Sequence, residues 1–187
     1  MKVCILSFSG RSGGNCGSIA TLLRQWHEGN EVTVYDFSTF SVAPCGHCGC
    51  ECFQSREACP YFDDPVVSIY DAVIHSDLTY FVVPNYCDYP CANFFAFNER
   101  SQCCFQGAPE LLEQYLAVKK KFVVVSNTGR ENFTATFRYH VPEDRPPQVL
   151  FLSAKLFQKS SIKGDLMTSA EARQALLDFA GTDNSDR

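Results

Sequence analysis

The stretch Pro44-Cys45-Gly46-His47-Cys48-Gly49-Cys50-Glu51-Cys52, followed by Cys59 and Asp63-Asp64, concentrates more reactive side chains than any other part of the chain. Two thiolates at Cys-x2-Cys spacing can bind one metal ion or one cluster, and Cys52 and Cys59 would complete a set of four ligands with Cys45 and Cys48. His47 is a further candidate ligand, although a loop histidine is more often only solvated. The remaining cysteines show no ligand spacing beyond adjacency. Cys4 reads as a small hydrophobe in a core strand, and Cys87, Cys91, Cys103 and Cys104 as packing residues.

A second pattern is Ser7-Phe8-Ser9-Gly10-Arg11-Ser12-Gly13-Gly14-Asn15-Cys16. It follows an apolar strand and opens a helix, a geometry that presents free N–H groups to an anion. Glycines let the backbone curl around a phosphate, and Ser9, Ser12 and Asn15 can add side-chain donors. The loop has neither the Gly-Lys-Ser/Thr of a Walker motif nor a Gly-x-Gly-x-x-Gly fingerprint. A phosphatase would need an arginine six positions after a nucleophilic cysteine, and Cys4 and Arg11 are seven apart. An ordinary Gly/Ser-rich turn has the same composition. Its position after the first strand of a doubly wound sheet is what favours phosphate binding.

Two further loops follow buried strands. Pro84-Asn85-Tyr86-Cys87-Asp88-Tyr89-Pro90 is stiffened by two prolines, and Tyr86 and Tyr89 offer flat faces for stacking a planar heterocycle. Ser126-Asn127-Thr128-Gly129 supplies hydroxyl, amide and backbone donors.

The elements that position these loops alternate in type. Strands are expected at Lys2–Phe8, Glu31–Phe37, Leu78–Val83, Phe122–Val125 and Val149–Leu152. Helical spacing runs over Asn15–His27, from Asp64-Pro65 onward, from about Pro90–Cys91, over Pro109–Val118, and from a capping box at Thr168-Ser169-Ala170-Glu171 to just before Gly181. This order implies an α/β three-layer sandwich with a five-stranded parallel sheet in the flavodoxin-like order 2-1-3-4-5. One domain over residues 1–182 with a polar tail at 183–187 is expected, since 187 residues suit a single core and no linker divides them.

Composition narrows the partners. The net charge of -5 argues against nucleic acid. No apolar segment is long enough to span a bilayer, and the N-terminus lacks the long apolar run of a signal peptide, so a cytoplasmic location is expected. The eleven cysteines are then free thiols or ligands rather than a disulfide framework.

Ser9-x-Arg11-x-x-Gly14-Asn15 resembles the FMN phosphate loop of the NADPH-dependent FMN reductases, a flavodoxin-like family. Pro84-x-Tyr86, followed by a helix ending Asn98-Glu99-Arg100, is similar to the flavin-contacting segment of the same family. There the helix typically ends in Asp-Arg, and Thr or Ser usually stands where this chain has Cys16. The likeness runs from Met1 to about Gly129 and more loosely through the last helix.

The resemblance implies bound FMN, NAD(P)H as co-substrate, a small-molecule or protein electron acceptor, and a homo-oligomer with flavin near the subunit interface. The FMN site would comprise Ser9, Arg11, Gly13, Gly14, Asn15, Cys16, Pro84, Asn85, Tyr86, Ser126, Asn127, Thr128 and Gly129. The cysteine loop resembles that of the iron–sulfur flavoproteins, which show Cys-x2-Cys-x2-Cys and a fourth Cys, but Glu51 stands at the third position here. Three readings follow: a [4Fe–4S] cluster on Cys45, Cys48, Cys52 and Cys59 (or Cys50), a zinc on the same thiols, or a redox-sensitive loop without metal. An electron carrier that never meets a nicotinamide is the alternative to a reductase.

Overall fold

Strand β1 (Lys2–Ser7) is buried from Val3 onward, and its alternation splits it between two cores. Cys4 and Leu6 point to one face of the sheet, and Val3 and Ile5 to the other. β3 (Leu78–Tyr86) and β5 (Lys119–Val125) divide in the same way, with Phe81, Val83, Phe122 and Val124 opposite Tyr80, Val82 and Val123. Strands apolar on both faces must be covered on both, and that requirement makes three layers. The structure is a computed structural model that describes residues 1–46 and 48–182. His47 and the tail expected at 183–187 lie outside the described residues.

One face carries α1 (Asn15–Trp26) and α7 (Ala170–Gly181), which bury Ile19, Leu23, Ala172 and Leu176. The other carries α2 (Pro65–Ile74), α3 (Ala92–Glu99), α4 (Ser101–Phe105), α5 (Pro109–Ala117) and α6 (Arg130–Phe137) over a core rich in aromatic rings. With β2 (Glu31–Asp36) and β6 (Gln148–Leu152), the parallel strands run in the order β2-β1-β3-β5-β6. A two-residue strand, β4 (Tyr89–Pro90), pairs antiparallel with the end of β3. No helix among the described residues is long and apolar enough to cross a membrane.

The five parallel strands and their order match expectation, with β4 added. Asp64 caps α2 through Oδ1, which accepts from Val66 N at 2.9 Å. At α7 the cap is Ser169, one residue later than the capping box implied: its hydroxyl accepts from Ala172 N and donates to Glu171. β5 starts three residues before its apolar run, because two lysines are buried inside it. Lys121 Nζ donates to the carbonyls of Phe179 at 2.7 Å and Ala180 at 3.0 Å, closing the C-terminal end of α7. Lys120 Nζ donates to the carbonyls of Tyr115 and Val118, and burial lowers its pKa to about 7.

His140 is sealed in the aromatic core, where its Nδ1 meets Tyr115 Oη at 2.6 Å. Burial, reinforced by Lys120, lowers its pKa to about 3. Between the ordinary histidine value and about 3, the unfolded chain therefore binds a proton that the folded chain does not. Stability should fall as pH drops through that window, by up to about 1.4 kcal/mol per pH unit from this group. Urea titrations of wild type and His140→Phe between pH 7 and pH 4 check this. The variant should show the shallower dependence, and identical slopes would contradict the assignment.

Candidate functional site

The loops after β1, β3 and β5 meet beyond the carboxyl ends of those strands around a cleft of about 390 Å³. That volume lies within the range of small-molecule sites. Of the residues proposed from sequence, Ser9, Arg11, Gly14, Asn15 and Cys16 line it from the first loop, Pro84, Asn85 and Tyr86 from the second, and Ser126, Asn127 and Thr128 from the third. Gly13 and Gly129 do not line it, and neither does Tyr89.

The first loop ends at Gly14, the N-cap of α1, where no side chain caps the helix and no acidic residue sits in the first turn. The first N–H groups of a helix have no intrahelical partner, so this terminus is open to an anion. Ser9 Oγ folds back to accept from Arg11 N at 3.1 Å, which shapes the turn. Asn93 Nδ2 and Cys91 Sγ both reach Phe8 O, tying the start of α3 to the loop. Cys16 is buried, and burial pushes its thiol well above the usual range, so it stays a neutral, weak donor.

In the second loop, Cys87 and Asp88 have φ of 53° and 66° and turn the chain tightly between Tyr86 and Tyr89. The missing Asn-Gly or Asp-Gly signature hid this hairpin in the sequence. Gly129, at φ 76°, packs on the hairpin tip. A Cβ there would stand 2.7 Å from Asp88 O, so this glycine permits a close approach and leaves ligand contact to its neighbours. Asn85 Nδ2 donates to Ser126 Oγ and to Thr128 O at 3.1 Å. Its Oδ1 is buried without a partner at the cleft wall. An orphaned acceptor of this kind costs about 1–3 kcal/mol, which a ligand N–H would recover.

Sequence reasoning missed the fourth wall, the segment 153–166 between β6 and α7. Ser161 and Ile162 line the cleft. Arg11 Nη2 donates to Ile162 O, and Asn15 Nδ2 donates to Ser160 O at 3.0 Å. Asn15 Oδ1 accepts from the buried Leu166 N, also at 3.0 Å. No local motif announces these contacts, which join residues far apart in sequence.

No family model matches the chain, and no curated protein matches it either. Solved structures do. Smu.1420 from Streptococcus mutans UA159 aligns at a TM-score of 0.63 and 13% identity, covering 95% of this chain and 100% of its own. FerB from Paracoccus denitrificans, a flavoenzyme NAD(P)H:(acceptor) oxidoreductase, aligns at 0.55 and 13%, covering 95% and 96%. The NADH:FMN oxidoreductase EMOB aligns at 0.53 and 13%, covering 95% and 87%. The fold is flavodoxin-like.

In this flavodoxin-like chain the cysteine loop lies apart from the cleft and is organised by a cation. Arg100 is fully buried. It pairs with Asp64, donates to Tyr61 O at 2.7 Å and Ala43 O at 3.3 Å, and stacks over the Tyr61 ring. Cys45 N donates to Glu99 Oε2 at 3.2 Å. Glu99 and Arg100 thus serve the cysteine loop.

Among the described residues, no group of three or more His, Cys, Asp or Glu side chains is arranged to hold a metal ion. Cys52 and Cys59 are buried, Cys45 and Cys48 half-buried and Cys50 (φ 62°) exposed, and Cys103, Cys45, Cys48 and Cys50 lie close enough to Cys52 to act on its thiol electrostatically. Burial raises the pKa of Cys52 and of Cys59. Cys103 and Cys104 are buried in the same core.

Both ends of the Asn15 amide are engaged by the 153–166 segment, so Asn15→Leu should strip a buried N–H of its acceptor. The expected loss of stability is about 1–3 kcal/mol. It would appear as a lower urea midpoint with unchanged slope. An unchanged midpoint would show that these hydrogen bonds do not hold the segment.

Proposed function

We propose that the chain is an FMN-dependent oxidoreductase that takes electrons from NAD(P)H and passes them to a quinone, a nitro-compound or a protein acceptor. One observation carries the reading: an uncapped helix N-terminus and an unpartnered amide oxygen share a single cleft at the carboxyl edge of the sheet. The first is suited to a phosphate and the second to the N–H edge of a planar heterocycle. The names of FerB and EMOB, which share the fold, point to the same chemistry.

The residues present fit FMN. The backbone from Gly14 to Cys16, with Ser9 and Arg11, would hold the phosphate. Asn85, Ser126, Asn127 and Thr128 would meet the polar edge of the ring system, and Tyr86 offers it a flat face. Bound FMN supplies the capacity to accept a hydride and release its electrons singly or in pairs. The chain contributes binding, orientation and donors placed where the ring gains negative charge. Ser126 buttresses this polar edge instead of donating to it: its one O–H goes to Thr128 O, and its oxygen accepts from Thr128 N at 2.9 Å and from Asn85 Nδ2. No side chain is assigned as a general acid or base. A homo-oligomer is part of this proposal, with Tyr86, Tyr89, Leu156 and Ile162 among the exposed large apolar side chains.

Purified protein should release FMN on denaturation, identified by chromatography. NADPH or NADH should bleach the bound flavin under anaerobic conditions. Recovery of FAD alone, or of no flavin after reconstitution, would overturn the cofactor assignment. Bound FMN that neither nucleotide reduces would leave an electron carrier in place of a reductase.

A further inference from the structure

The 153–166 segment does more than line the cleft: it lies across the phosphate end. It is anchored to two of the three cofactor loops. Ser153 Oγ donates to Asn127 Oδ1 at 2.6 Å, and Arg11 and Asn15 grip the carbonyls of Ile162 and Ser160. It is also stiffened from within, because Ser160 N donates to Asp165 Oδ1 at 3.0 Å and Ile162 N to Ser160 Oγ at 3.2 Å. At Gly164 (φ 71°) its backbone rests directly on the phosphate loop. A Cβ there would overlap the Gly13 carbonyl oxygen and stand 3.3 Å from Gly14 C. Only glycine allows so close a seat at a positive φ.

We propose that this strap determines ligand length, ending the site at one phosphate and thereby selecting a flavin mononucleotide over a flavin dinucleotide. The inference rests on the flavin reading above. A second phosphate and its adenosine would have to leave past Gly13 and Gly14, where the strap backbone already sits. Arg11 can latch the strap and still serve a phosphate, since a guanidinium has five N–H donors and one is engaged by Ile162. Discrimination then comes from an obstruction as well as from contacts, the usual basis of selectivity between ligands sharing a common part.

The experiment measures quenching of flavin fluorescence by flavin-stripped full-length protein, with riboflavin, FMN and FAD. Limited trypsin cleavage after Lys155, Lys159 and Lys163 reports the strap itself. Gly164→Ala should lift the strap off Gly13, and Asp165→Ala, outside the cleft lining, should loosen it from within. Wild type should prefer FMN to FAD by about 100-fold or more, and each loosened variant should be cut faster and lose about tenfold of that preference. If Gly164→Ala does not fold, Asp165→Ala gives the same two readouts.

Faster cleavage with an unchanged FMN:FAD ratio would overturn the proposal, as would equal affinity of wild type for both flavins. A strap cut no faster in either variant would contradict the anchoring on which the proposal stands. Binding of FMN without any strap effect sinks this inference alone. Failure to bind any flavin sinks the functional reading with it.

Discussion

The reversal of strand order at β1 sets the position of the cleft and of the loops that line it. β2 lies on one side of β1 and β3 on the other, so successive connections depart in opposite directions and a crevice opens at the carboxyl edge. The strands that frame it are apolar on both faces and are covered by helices on both, so polar loop backbone gathers in the crevice beyond their carboxyl ends. The N-terminus of α1, the β3–β4 hairpin and the β5–α6 loop all converge there because the sheet sends them there.

Within the crevice, rigidity is built from polar contacts between loops rather than from apolar packing. Asp88 accepts from Thr128 and, through its carbonyl, from Asn132 Nδ2 at 2.9 Å, which joins the second loop to the third. Asn127 holds the strap, and the strap holds Arg11 and Asn15. Each loop is thus fixed by its neighbours before a ligand arrives, the condition for electrostatic groups to act without reorganising. The cysteine loop follows a different logic. There a buried guanidinium gathers the carbonyls of Ala43 and Tyr61 and the carboxylate of Asp64, and breaking such a pair typically costs about 3–5 kcal/mol.

What could be read from sequence tracks how local the underlying physics is. The apolar runs of β1 and β3, the Asp64-Pro65 start of α2 and the Gly/Ser loop before α1 each have their cause within a few residues, and each stands where it was expected. β5 begins before its apolar run, at three lysines of which Lys120 and Lys121 are buried. They are buried because carbonyls of α5 and α7 accept them, a fact of tertiary structure. Helix α6 escaped because Phe133 and Phe137 give one repeat of the helical period, too little to register as a pattern. The cysteine spacing suggested a shared ligand set, and what it could not show is that Cys52 and Cys59 are buried, a matter of tertiary packing. The strap was invisible for a related reason: its anchors are backbone carbonyls, which every residue possesses.

The central claim is that the open terminus of α1 binds the phosphate of a flavin. Comparing FMN with riboflavin by isothermal titration calorimetry isolates that contribution, because the two ligands differ only in the phosphate. The account predicts that FMN binds tighter by about 1.5–3 kcal/mol or more, the scale of hydrogen bonds to a charged group. Equal affinities would contradict it, for the loop after β1 would then be an ordinary turn and the cleft would owe nothing to phosphate.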